Sequence, residues 1–156
     1  MPGKMETKAQ KLSWGVLLAL GVVDLGRGGF HWLAPDSGAG VVAGMNLSYP
    51  NARDVVFLLS LDGVGQIFWG ITYLFLVFRA RRLVPFALLS EVARGLMVLV
   101  TEYWLKPPVS PVPGRFMHMA TTVVCGTALL LHLRADRCIL NLRGGGWETC
   151  RTRSGP

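Results

Sequence analysis

Four long apolar blocks constrain this chain more than any other feature. They lie at about residues 12–33, 55–78, 83–105 and 116–133. Each is roughly 18–24 residues, and at about 1.5 Å of rise per residue that matches the ~30 Å hydrocarbon core of a bilayer. A helix satisfies its own backbone hydrogen bonds in lipid, which an open strand cannot do. The blocks therefore predict an all-α chain, an integral membrane four-helix bundle. It forms one domain over 12–134, with a short cytoplasmic N-terminal segment, 1–11, and a flexible basic cytoplasmic tail, 135–156. Residues 12–23 resemble the apolar part of a signal peptide. No small-residue cleavage site follows them, however; Asp24, Arg27 and His31 do, so this block reads as an uncleaved first helix.

Charge placement sets the orientation. The formal net charge is +7, which in a soluble chain would point to nucleic acid. Here the basic residues sit at the ends of the apolar blocks, and no basic stripe interleaves with aromatics, so nucleic acid is not an expected partner. Lys4, Lys8 and Lys11 precede the first block. Arg79, Arg81 and Arg82 join the second to the third. Arg134, Arg137, Arg143, Arg151 and Arg153 follow the fourth. Eleven of the sixteen basic residues thus fall on one side, which the positive-inside rule makes cytoplasmic, with both termini there. On the other side are two unlike connections. The stretch 34–54 is long for a structureless link, so an interfacial or re-entrant element is one reading of it. Residues 106–115, K-P-P-V-S-P-V-P-G-R, suggest a stiff polyproline strap. The cysteines, Cys125, Cys138 and Cys150, form neither a C-x-x-C pair nor an even disulfide framework.

Within the blocks a short pattern occurs twice: Asp24-Leu25-Gly26-Arg27-Gly28 and Glu91-Val92-Ala93-Arg94-Gly95. Ionised groups are costly in a bilayer, so they mark function by default. Helical periodicity gives each block one polar stripe. Asp24, Arg27, Gly28 and His31 share a face of the first block. Asp62, Gln66, Trp69 and Tyr73 share a face of the second, and Glu91, Arg94, Gly95, Val98 and Glu102 a face of the third. His118, Thr121, Thr122 and Cys125 do so in the fourth. Counting helical rise places Asp24, Arg27, Asp62, Gln66, Glu91 and Arg94 in one layer, from the midplane outward. His31, Glu102 and His118 lie above it as the rim of a cavity. The two acid–Arg pairs can neutralise each other and merely hold the helices in register. Asp62 has no arginine to match it, only Gln66, which makes it the candidate proton carrier, neutral acid or ligand-binding group.

The pattern excludes more chemistry than it specifies. No H-x-x-x-H or E-x-x-H spacing supports a metal among His31, His118, Asp62 and Glu102. No G-x-S-x-G is present, and Ser60 and Ser90 have no evident base. No cofactor motif appears; a quinone or lipid is the ligand class that a polar cavity in a membrane could take. If the doubled pattern is a true repeat, its two hairpins are parallel, related by an axis along the membrane normal.

The stretch L-G-R-G-G-F-H-W-L-A-P-D-S-G-A-G at 25–40 and the R-A-R-R-L-V-P link at 79–85 resemble the small bacterial four-helix membrane proteins that include the DoxX-like families. A-G-M-N-L, the E-V-A-R-G helix and K-P-P are similar to stretches of uncharacterised bacterial proteins of about this length. The resemblance covers about residues 14–134. It implies a bundle in the bacterial inner membrane and, from some members, a subunit of a quinone-linked redox or oxidative-stress complex. Three function classes follow from residues and resemblance together. One is a non-enzymatic membrane protein or complex subunit, with other membrane subunits or a second copy as its partners in the lipid bilayer. The next is a proton-coupled transporter or channel using Asp62. The last is a membrane enzyme acting on a lipid- or quinone-like substrate.

Overall fold

A computed structural model describes residues 7–108 and 114–143. Most of the proline strap and the end of the tail, with Cys150, lie outside the described residues. Among those described, four helices carry the fold and no strand occurs. They are α1 (Lys8–Leu33), α2 (Ala52–Arg79), α3 (Val84–Val100) and α4 (Gly114–Arg143). All four, taking Arg81–Leu105 as one span with α3 at its centre, are long and apolar enough to cross a membrane.

The helix ends show what hydropathy misses. α1 starts four residues before the apolar block because Thr7 caps it. The Gln10 amide donates to the Thr7 hydroxyl at 3.2 Å, and the Thr7 amide donates to the Gln10 side chain at 3.0 Å, a capping box that holds the polar first turn. α4 continues to Arg143, so the tail expected from 135 begins as helix. Between α2 and α3 the link tightens into a single 3₁₀ turn, Arg81–Leu83, and Pro85 sits in the first turn of α3, where its missing N–H costs no helical hydrogen bond. Arg81 folds back there: its Nε donates to the Val77 carbonyl at 3.0 Å, and its guanidinium lies 4.4 Å from the centre of the Trp14 ring. After Val100 the last turns of the span widen into a π-helix, Thr101–Leu105, closed by the Lys106 amide on the Thr101 carbonyl at 2.8 Å.

Packing is uneven around the bundle. α1 lies against α2 along much of its length, α3 lies against α4, and α1 also touches α4, whereas α2 and α3 make few contacts. Glycines permit the α1–α2 approach. A Cβ placed on Gly28 would come within 2.6 Å of the Gly63 carbonyl oxygen, and one on Gly70 within 2.8 Å of the Gly21 carbonyl oxygen. Small residues matter here because lipid supplies no hydrophobic drive between helices, and close backbone packing takes its place. Ser13 pins α1 to α4, donating to the carbonyls of Ala9 (3.0 Å) and Ala128 (3.1 Å). The buried apolar core is Leu17, Tyr73, Val77, Val84, Ala87, Leu88, Cys125 and Ala128. Val77 and Val84 flank the 3₁₀ link, so the core occupies the link end of the bundle.

The stretch 34–51 is neither a helix nor a loose loop. It is a chain of hydrogen-bonded turns organised by Asp36, whose carboxylate accepts from the amides of Gly38 (2.9 Å), Gly40 (3.0 Å) and Val41 (2.9 Å). Ser37 (φ 51°) and Gly38 (φ 80°) supply the left-handed backbone that the reversal requires.

Candidate functional site

Glu91 follows the core residues Ala87 and Leu88 by one helical turn on the same face of α3, and its side chain is buried. Both of its oxygens are bonded. Oε1 accepts from Arg94 Nε at 3.0 Å and from the Tyr73 hydroxyl, and Oε2 accepts from an Arg94 terminal nitrogen at 2.6 Å. The Arg94 contact is the two-pronged guanidinium–carboxylate geometry that makes such pairs strong. Tyr73 belongs to α2. Its hydroxyl therefore joins two helices that otherwise make few contacts.

Asp24, half-buried on α1, lies within electrostatic range of Arg94, Glu91, Arg27 and Asp62. Three helices thus contribute to one polar layer. The layer is not symmetric, however. Glu91–Arg94 is an ion pair, whereas Arg27 is exposed and forms no ion pair or hydrogen bond among the described residues. The two copies of the acid-x-x-Arg-Gly pattern differ in this respect. Their glycines behave alike: Gly28 packs on Gly63 of α2, and a Cβ on Gly95 would collide with the Thr122 hydroxyl of α4.

Asp62 stands on an exposed face of α2 and accepts from the Gln66 side-chain amide at 2.5 Å. Among the described residues no arginine makes an ion pair with it. The three rim residues divide into two groups. His118 Nδ1 lies 2.7 Å from Glu102 Oε1, joining α4 to the π-helical turn, and Arg115 donates to the Glu102 carbonyl at 3.1 Å. His31 instead turns to the 34–51 stretch, with its Nδ1 2.6 Å from the Ser37 carbonyl oxygen. Ser37, fully buried, shares a 2.6 Å hydrogen bond with Ser60 of α2, so His31 and Ser60 together latch this stretch onto the helices. Among the described residues no three His, Cys, Asp or Glu side chains converge as a metal site would need.

Beyond Glu91 an open cleft of about 810 Å³ runs along α3 past Ala93, Arg94 and Met97, with Trp69 of α2 at its edge. Glu91 and Glu102 both border it, and the eleven helical steps from one to the other correspond to about 16 Å. No family model, curated protein or solved structure matches this chain.

Two participants were not among the candidate residues of the sequence. Tyr73 lies on the same helical stripe as Asp62 and Gln66, which was its signal, but nothing local indicates that it reaches Glu91. The Asp36–Ser37–Ser60 latch had a fainter signal, the P-D-S-G turn chemistry after the first block.

Proposed function

We propose that this chain is a non-enzymatic, multi-pass protein of the bacterial inner membrane, serving as a subunit of a membrane complex whose partners are other membrane subunits or a second copy. One observation carries this reading: every oxygen of the buried acid Glu91 is engaged by Arg94 or Tyr73. A group so occupied works as a pin between α2 and α3, not as a free acid or base. The relation to the DoxX-like families and a place in a redox complex are part of the same proposal, supported by the four-helix plan together with the 25–40 and 79–85 stretches. Both termini are assigned to the cytoplasm, since Lys8, Lys11 and the arginines of the 3₁₀ link carry the positive charge of one end. A parallel repeat of two hairpins is supported by Gly28 and Gly95, each packed on the second helix of its own hairpin.

Asp62→Asn tests the proposal against proton transport. Among the described residues Asp62 hydrogen-bonds to Gln66 alone, so in proteoliposomes the variant should keep its thermal stability and leave the proton permeability of the vesicles unchanged. A proton flux present in the native protein and abolished by this one change would replace the structural role with a transport role.

A further inference from the structure

We propose that the α2–α3 cleft binds a neutral, carbonyl-bearing lipid that lacks an ionic headgroup, with Arg94 donating to that carbonyl. This rests on the cleft alone and not on the subunit role. Its volume, about 810 Å³, is within the range of small-molecule sites, roughly 300–1,000 Å³. It lies within a membrane-spanning segment and is bordered by helix, so its occupant comes from the bilayer. Trp69, Ala93 and Met97 give it apolar walls suited to an acyl chain.

Arg94 determines the polar part of the ligand. Its side chain is 49% exposed, and two of its five N–H donors are used on Glu91. Arg94 borders the cleft, its remaining donors have no partner among the described residues, and bilayer hydrocarbon offers them no acceptor. The ligand must therefore bring an acceptor. It should not bring a full negative charge. Glu91 already neutralises Arg94, Asp24 acts on the same group, and Glu102 stands at the far end of the cleft. Depth removes the remaining ambiguity. Arg94 is beside the middle of the 25-residue span Arg81–Leu105, where a phospholipid headgroup does not reach. What remains is a headgroup-free, uncharged, carbonyl-bearing lipid.

The test uses the full-length protein in phosphatidylcholine vesicles with two photoreactive probes. One is a long-chain fatty acid methyl ester with a diazirine on its chain, and the other is the corresponding free acid held ionised. The proposal expects the ester to label peptides containing Trp69 or Ala93–Met97, and excess methyl oleate to abolish that labelling. It expects the ionised acid not to label these peptides. Ala93→Trp, which fills the cleft without touching the ion pair, should lose the labelling while melting as the native protein does. If that variant fails to fold, competition by methyl oleate in the native protein decides the matter. Labelling spread evenly over lipid-facing residues such as Val123, labelling not displaced by methyl oleate, equal labelling by the acid, or a crosslink between two protomers at Trp69 would each overturn the proposal.

Discussion

Glu91 and Arg94 are a buried acid and a half-exposed base on one turn of α3, and they are not equal partners. Removing the base leaves a buried carboxylate with only a hydroxyl to hold it. Arg94→Gln should therefore destabilise the protein by about 3–5 kcal/mol, while Glu91→Gln combined with Arg94→Gln recovers much of that loss, because no unpaired charge remains. Thermal unfolding in one detergent, compared across the variants, measures both. Asp36 gives a pH prediction. The amides of Val41, Gly38 and Gly40 hold its carboxyl below the ordinary aspartate range. A depressed acid contributes its stabilisation fully above the ordinary range and loses it as pH falls through the lowered value. The amide signals of Gly38, Gly40 and Val41 should thus shift together with a midpoint below that of a free aspartate, and Asp36→Asn should abolish the transition. A midpoint at or above the free value would contradict the three hydrogen bonds. The sequence made Asp24–Arg27 and Glu91–Arg94 look equivalent, since i,i+3 spacing permits a pair in both. Burial separates them: Glu91 is turned into the bundle beside Tyr73, and Arg27 is turned out of it. That difference is tertiary, so no local pattern could carry it.

At the scale of the helix, glycine position matters more than glycine number. Gly21 and Gly28 on α1 meet Gly70 and Gly63 on α2, one close approach every two turns, whereas Gly15, Gly26 and Gly29 have open space where a Cβ would go. Gly28→Val should separate the two helices and cost about 1–3 kcal/mol by overpacking, while Gly15→Ala should leave stability unchanged or raised. Equal effects at the two sites would mean that the backbone approach is not what holds the hairpin. Apolar length and periodicity made the existence of the helices legible. The sequence did not separate Gly28 from its neighbours, because that depends on which face α2 occupies. The start of α1 was missed for a different reason. Capping chemistry at Thr7 and Gln10 extends α1 through polar residues that a hydropathy criterion leaves out. Between α1 and α2, the length of the 34–51 stretch signalled structure, but its form depends on Asp36 reaching three amides and on Ser37 meeting Ser60, and the second of these is a contact between distant residues.

Packing across the molecule is uneven between α2 and α3. The apolar core fills the link end, Glu91 follows it, and the open cleft beside Trp69 and Met97 lies beyond Glu91, while α1–α2 and α3–α4 stay joined at that end through Gly28–Gly63 and Glu102–His118. The helical rise and the four stripes suggested one polar layer, and Asp24 does lie within electrostatic range of Asp62, Glu91 and Arg94. How these groups pair was not legible: they form a closed pin of Tyr73, Glu91 and Arg94, a separate Asp62–Gln66 pair, and two latches at His31 and Glu102. Stripes give the face of each helix but not the rotation of one helix against another. The Tyr73–Glu91 hydrogen bond holds α2 to α3. A double-mutant cycle of Tyr73→Phe and Glu91→Leu, each of which removes one partner of that bond, is read by thermal unfolding in a single detergent. Each single change should lower the melting temperature, and the double variant should lose clearly less than the two losses added together. Losses that simply add, or single variants that melt like the native protein, would contradict the pin.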